Sequence, residues 1–263
     1  MSMKAIASLD LKVCFLLSFL VVWNFIEAQD IKPANRKTTK TVEQITREYE
    51  KWSEIRNDWP GLNRYRDANQ KLSLQSENAE RIVFMGNSIT DEWIRISPEF
   101  FEGKPYVNRG ISGQTTPQML IRFRPDVINL KPRAVVILCG VNDIAGNTGP
   151  STIEMIGNNI SSLVELSKAN GIKVILSSVL PVFDFPWKSG IEPAEKIVSL
   201  NKWIKTYADK NGVIYLDYYS SMVDARKGMK VEYSEDGVHP NKAGYKVMEI
   251  LVEQAIKQAL NRE

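Results

Sequence analysis

Hydrophobic and polar positions follow two different rhythms along the chain. From Thr41 the apolar residues Val42, Ile45, Tyr49, Trp52 and Ile55 recur at spacings of three and four, the period of an amphipathic helix. Thr41 stands where a cap belongs, with Glu43 and Gln44 in the first turn. A second short helix is predicted over residues 62–74. After Arg81 the rhythm changes, and short β-branched apolar runs at 82–85, 106–108, 134–139, 173–179 and 213–216 alternate with longer segments. The segments at 116–129, 152–170, 194–210 and 242–260 have helical patterning. Strand alternating with helix predicts an α/β domain built on a mostly parallel five-stranded sheet. The expected division is a signal peptide at 1–28, a polar leader and helical extension at 29–80, and the α/β domain at 81–263.

The start of the chain has its own pattern. Lys4 and Lys12 precede an almost unbroken apolar run from Val13 to Phe25, and Ile26-Glu27-Ala28 ends in a small residue. That run is short of the roughly 20 residues a bilayer-spanning helix needs. It reads as a secretory signal cleaved after Ala28, with no membrane span afterwards and a secreted or periplasmic location. Cys14 lies at the start of the apolar run and not at its end, which argues against a lipoprotein anchor.

Composition then narrows the chemistry. The 263 residues include one histidine, His239, and two cysteines. Sites built from several histidines, or from a cysteine cluster, are excluded. Cleavage removes Cys14 together with Lys4, Lys12, Asp10 and Glu27, so Cys139 remains alone and the net charge stays at +3. So small a charge, with both signs interspersed, gives no reason to expect nucleic acid as a partner.

In parallel α/β sheets the chemistry gathers in loops at the carboxyl ends of the strands. Four such loops are polar and contain glycine: Gly86-Asn87-Ser88-Ile89-Thr90, Asn108-Arg109-Gly110-Ile111-Ser112-Gly113-Gln114-Thr115, Gly140-Val141-Asn142-Asp143, and Asp236-Gly237-Val238-His239-Pro240. Ser88 lies on a strand-to-helix turn, a place suited equally to a nucleophile and to a helix cap. A serine hydroxyl needs a base, and His239 is the only imidazole in the sequence. Asp236, three residues earlier in a turn, can fix its tautomer. The N–H groups of Ser88 and Gly113 and the amide of Asn142 are candidate donors to a developing oxyanion. Taken singly, Gly113 as a turn residue and Asn142 as a cap are equally good readings; together, at successive strand ends, they point to acyl transfer.

These four blocks, in this order, resemble the SGNH (GDSL-type) serine hydrolases over about residues 81–255. The resemblance implies a three-layer α/β/α flavodoxin-like fold, with Ser88 as nucleophile, His239 as base, Asp236 as its orienter, and Ser88, Gly113 and Asn142 as oxyanion donors. It implies no metal, and nothing in the site calls for a cofactor. The nucleophile block departs from Gly-Asp-Ser-Leu, having Asn87 for Asp and Ile89 for Leu. The other common serine hydrolase pattern, G-x-S-x-G, fails at Thr90.

A polar extracellular ester is the expected substrate, a small molecule or an acetylated glycan. The aromatic loop Pro181-Val182-Phe183-Asp184-Phe185-Pro186-Trp187 is equally suited to stacking on a sugar and to closing the core. A platelet-activating-factor acetylhydrolase-like or lysophospholipase-like activity is the alternative, and a non-catalytic carbohydrate-binding module is a third. Periodicity does not decide the oligomeric state, the purpose of residues 29–80 or the role of Asp143.

Overall fold

The computed structural model describes residues 40–73 and 80–261. The signal peptide at 1–28, most of the leader and the end of the predicted 62–74 helix lie outside them. The protein divides into two compact units, Met1–Trp52 and Ser53–Glu263. Helix α1, Val42–Asn57, begins in the first unit with a reciprocal cap. Gln44 N donates to Thr41 Oγ1 (3.2 Å), and Thr41 N donates to Gln44 Oε1 (2.9 Å).

In the second unit, Asp58 accepts the N–H groups of Leu62 and Asn63 at 2.7 and 2.8 Å. This turn delays helix α2 to Arg66–Ser73, so residues 62–65 are not helical as the spacing predicts. Five strands follow, β1 Ile82–Gly86, β2 Tyr106–Gly110, β3 Ala134–Leu138, β4 Lys173–Ser177 and β5 Ile214–Leu216. They form one sheet in the order β2-β1-β3-β4-β5, and every pairing is parallel. The predicted strand over 173–179 stops two residues early, because the amide of Asn201 bonds both N–H and C=O of Val179 (2.7 and 2.9 Å).

The central strands are apolar on both faces because both are covered by helices. Val83, Met85, Val135 and Ile137 face a core shared with α4 Thr116–Asp126, α6 Ile153–Ala169 and α7 Pro193–Asn211. Ile82, Phe84, Val136 and Leu138 face the opposite core, shared with α3 Ser88–Ile96 and α9 Lys242–Asn261. The short helices α5 Val141–Ile144 and α8 Tyr219–Met222 complete the described set. The architecture is three-layer α/β/α.

Two contacts in this framework fix where the functional loops sit. Trp93 on α3 is buried between Phe100 and Tyr245, stacked at centroid distances of 5.0 and 5.3 Å. Tyr245 Oη also donates to Ile89 O at 2.8 Å. The helix that starts at Ser88 is thus tied to the helix that follows His239. On the opposite side, β2 abuts α3 so closely that a Cβ on Gly110 would lie 2.0 Å from Asp91 N, and only glycine allows that approach.

Candidate active site

Ser88 is the first residue of α3, and Asn87 before it is the cap, its Oδ1 accepting Ile89 N at 3.1 Å. The capping role considered for Ser88 therefore falls to Asn87, and the Ser88 hydroxyl turns elsewhere. Its Oγ lies 3.0 Å from His239 Nε2. The other ring nitrogen, Nδ1, lies 2.7 Å from Asp236 Oδ2. Asn87 Nδ2 is buried with no hydrogen-bond partner among the described residues. The substitution of Asn for the family's Asp thus retains the cap acceptor while burying an unmatched donor.

The Asp236 turn is built to hold a carboxylate. Oδ1 accepts the N–H groups of Val238 and His239 at 2.8 and 2.7 Å. Ser234 Oγ donates to His239 O at 2.7 Å, lies 3.1 Å from Asp236 Oδ1 and accepts Gly237 N at 2.9 Å. Burial pushes the Asp236 carboxyl up, but these donors and the His239 ring outweigh it and leave it at about 2. The carboxylate is ionised throughout the mildly acidic and neutral range.

The loop after β2 passes beside Ser88. Gly113 adopts φ 80°, in the left-handed region that disfavours any residue bearing a Cβ, and its C=O accepts Asn147 Nδ2 at 3.0 Å. Ser112 N and Oγ both donate to Asp91 Oδ2, at 3.1 and 2.7 Å. Asn142 Nδ2 donates to Gln114 O at 3.0 Å, which occupies one of its two N–H groups and orients the other. Ser88 N–H belongs to the first turn of α3, where no carbonyl within the helix can accept it.

Asp143, next to Asn142, is taken up by Thr116. It is buried, and both carboxylate oxygens accept Thr116 N at 3.1 Å, with Thr116 Oγ1 at 2.5 Å from Oδ1. Burial pushes its carboxyl up, and the Thr116 hydrogen bonds oppose the shift. It anchors the start of α4.

Three further features border the site, of which the sequence marks only the first. The aromatic loop divides its residues between two tasks: Phe185 is fully buried, whereas Trp187 is 53% exposed and stacks on His239 with centroids 6.0 Å apart. A cavity of about 360 Å³ adjoins His239, lined by Arg95, Glu235, Asp236 and Lys242 among others. Arg122, within α4, is buried with Nη2 on Gly86 O at 3.0 Å, immediately ahead of Asn87 and Ser88.

Comparison with known proteins identifies the family and the fold. Residues 84–247 match the model of the GDSL-like lipase/acylhydrolase family. A protein assigned as an acylhydrolase from Bacteroides fragilis NCTC 9343 is 49% identical, with a TM-score of 0.75, over 77% of this chain and 99% of that one. A GDSL-like lipase from Bacteroides thetaiotaomicron VPI-5482 is 48% identical, with a TM-score of 0.74, over 76% of this chain and 98% of that one. An uncharacterised lipoprotein of Bacillus subtilis is 33% identical over 97 residues, 35% of this chain and only 40% of that protein's length. With the family model covering most of the sheet and its loops, the chain belongs to the GDSL-like lipase/acylhydrolase family, a family of carboxylic ester hydrolases.

Proposed function

We propose that the protein is an extracytoplasmic serine esterase that removes acetyl or other short acyl groups from O-esters of carbohydrates. The observation that carries the reaction class is the unbroken pair of hydrogen bonds from Ser88 Oγ to His239 and from His239 to Asp236, at 3.0 and 2.7 Å. His239 Nε2 takes the hydroxyl proton as Oγ attacks the acyl carbon, while Asp236 stabilises the imidazolium through Nδ1–H. The carbonyl oxygen gains negative charge and is received by the N–H groups of Ser88 and Gly113 and the free N–H of Asn142. Collapse breaks the bond to the alcohol, which leaves with the proton from His239. Water then attacks the acyl-enzyme by the same route, releasing the acid and regenerating Ser88.

The substrate class rests on what surrounds His239. The cavity beside it, whose lining includes Glu92, Arg95, Glu235 and Lys242 but neither Ser88 nor Trp187, offers charged groups suited to a hydroxyl-rich alcohol. Trp187 adds an exposed aromatic face of the kind that packs on a sugar ring. The extracytoplasmic placement rests on the pattern of residues 1–28, and no helix among the described residues is long and apolar enough to cross a membrane.

The test is acetate release from a panel of acetylated oligosaccharides, beside p-nitrophenyl esters of increasing acyl length. Ser88→Ala and His239→Ala should abolish turnover in folded protein. Unchanged turnover in either variant rejects the mechanism. Rates that keep rising beyond C4 and C6 esters would replace the carbohydrate reading with a lipid acylhydrolase.

A further inference from the structure

Arg122 and Gln114 occupy a position that neither substrate binding nor proton transfer explains. Arg122 is fully buried in the middle of α4. One edge of its guanidinium pairs with Asp126, Nη1 to Oδ2 at 2.9 Å. The remaining donors leave the helix. Nη2 reaches Gly86 O at 3.0 Å, and Nε bonds Gln114 Oε1. Gly86 ends the strand that delivers Ser88, and Gln114 follows Gly113 in the loop after β2. A single planar cation therefore spans the nucleophile strand and the oxyanion loop.

Gln114 carries the connection onward. Its backbone carbonyl orients Asn142 Nδ2 at 3.0 Å, and its amide Nε2 donates to Pro60 O at 2.7 Å. Asp126, at the other end of the guanidinium, accepts Asn69 Nδ2 at 2.7 Å, and Asn69 Oδ1 accepts Arg109 Nε and Nη2 at 2.9 and 2.7 Å. Tyr65 Oη donates to Gly110 O. Residues 60–69 thus brace the strand end and the loop from outside.

A buried ion pair adds little net stability, because desolvation offsets the attraction, and apolar residues of similar volume often serve as well. Stability alone gives no reason for a guanidinium here. A rigid fork with several N–H groups fixed in one plane does suit the task of holding two backbone segments in register. We infer that Arg122 and Gln114 are positioning residues: they set the oxyanion donors Gly113 and Asn142 relative to Ser88 and touch no substrate themselves. This rests on the esterase reading above.

The experiment compares Arg122→Lys, Gln114→Leu and Gln114→Glu in the full-length protein. Turnover of p-nitrophenyl acetate is expressed per active site titrated with a fluorophosphonate, so only folded, reactive enzyme is counted. Arg122→Lys keeps a charge for Asp126 but loses the fork, and Gln114→Leu removes the Arg122 acceptor at near-constant volume. Both should lower kcat by up to about 100-fold, the scale of a misplacement near 1 Å, with KM within about threefold of the native value and the rate of fluorophosphonate labelling falling in parallel. Gln114→Glu restores an acceptor for Nε but replaces the donor to Pro60 O with a carboxylate oxygen, so it should recover part of the loss and remain at least about threefold faster than Gln114→Leu. A kcat within threefold of native in Gln114→Leu overturns the inference, as does a change in KM alone or an equal loss in the Leu and Glu variants. If Arg122→Lys fails to fold, the Gln114 pair decides. Turnover that survives Ser88→Ala would reject the esterase reading itself; Ser88-dependent turnover with native rates in these variants rejects only the positioning role.

Discussion

The indole of Trp187 lies over the imidazole of His239, with ring centroids 6.0 Å apart and planes 29° from parallel. In the proposed reaction His239 protonates the departing alcohol, so whatever borders this ring borders the alcohol. Trp187 then discriminates among alcohols and leaves the acyl group to the oxyanion side. Trp187→Ala should lower kcat/KM on an acetylated oligosaccharide about fivefold, equivalent to the roughly 1 kcal/mol of an aromatic contact. On p-nitrophenyl acetate, whose alcohol leaves readily and needs little guidance, the change should stay under about threefold. Equal losses on both substrates would assign the indole to structure alone.

The 2.7 Å contact between Asp236 Oδ2 and His239 Nδ1 leads to a second expectation. Asp236→Asn preserves size and presents either an N–H or a neutral oxygen to the ring, so the imidazole loses its fixed tautomer and the charge that stabilises its protonated form. In a serine protease triad the same exchange lowers kcat about 10⁴-fold. Here a loss of about 10³ to 10⁴ in kcat is the expected result, with a Tm lowered by a few degrees because the ionised carboxylate also stabilises the fold, and with the native circular dichroism retained. A loss under tenfold would place the orienting group elsewhere.

How much of this was legible beforehand depended on whether a residue's task is local. Buried parallel strands need continuous apolar runs, so residues 82–85 and 134–139 announced themselves. Asp236 and His239 share one turn, and their spacing alone brings carboxylate to imidazole. Arg122 was hidden because its partners are remote: Gly86 O is 36 residues away, and the one local partner, Asp126, makes an i,i+4 pair that normally marks a solvated helix face. The aromatic loop was ambiguous for a related reason. Phe183, Phe185 and Trp187 alternate in an irregular segment, and only tertiary packing buries Phe185 while exposing the other two. The role of residues 60–69 was illegible because Pro60 acts through its carbonyl, which any residue would supply.

The pH dependence follows from the Asp236 turn. Its carboxyl, held at about 2, lies below the ordinary value of about 3.9. The depressed native value means that this group stabilises the fold above about pH 4, and that its contribution is lost as pH falls through about 2. Between pH 5 and 8 Asp236 therefore stays ionised and adds no slope of its own to the activity. Since the base must be neutral, log kcat/KM should climb with a slope no steeper than one proton as the pH is raised through this window. A flat profile contradicts the assignment of His239 as base, and a slope of two requires a second titrating group.

Asp143 offers a prediction about stability. It is 2% exposed and receives Thr116 N and Oγ1, so Asp143→Ala leaves a buried N–H at the start of α4 without its acceptor. The expected cost is about 1–3 kcal/mol, seen as a fall in Tm of a few degrees for a domain of this size. Asp143→Asn retains an acceptor oxygen and should cost less. The two forms also separate by pH. Because burial raises the Asp143 carboxyl, the native state holds a proton that the unfolded polypeptide has already released, and stability from this group declines as pH rises from the ordinary carboxyl value through the native one. The Asn variant lacks that slope. Urea unfolding at pH 4.5 and pH 8 should therefore show the stability difference between the two proteins moving in favour of Asn at the higher pH. A difference that does not change with pH would mean that Asp143 releases its proton equally readily in the folded and unfolded states, and that its bonds to Thr116 fully offset the cost of burial.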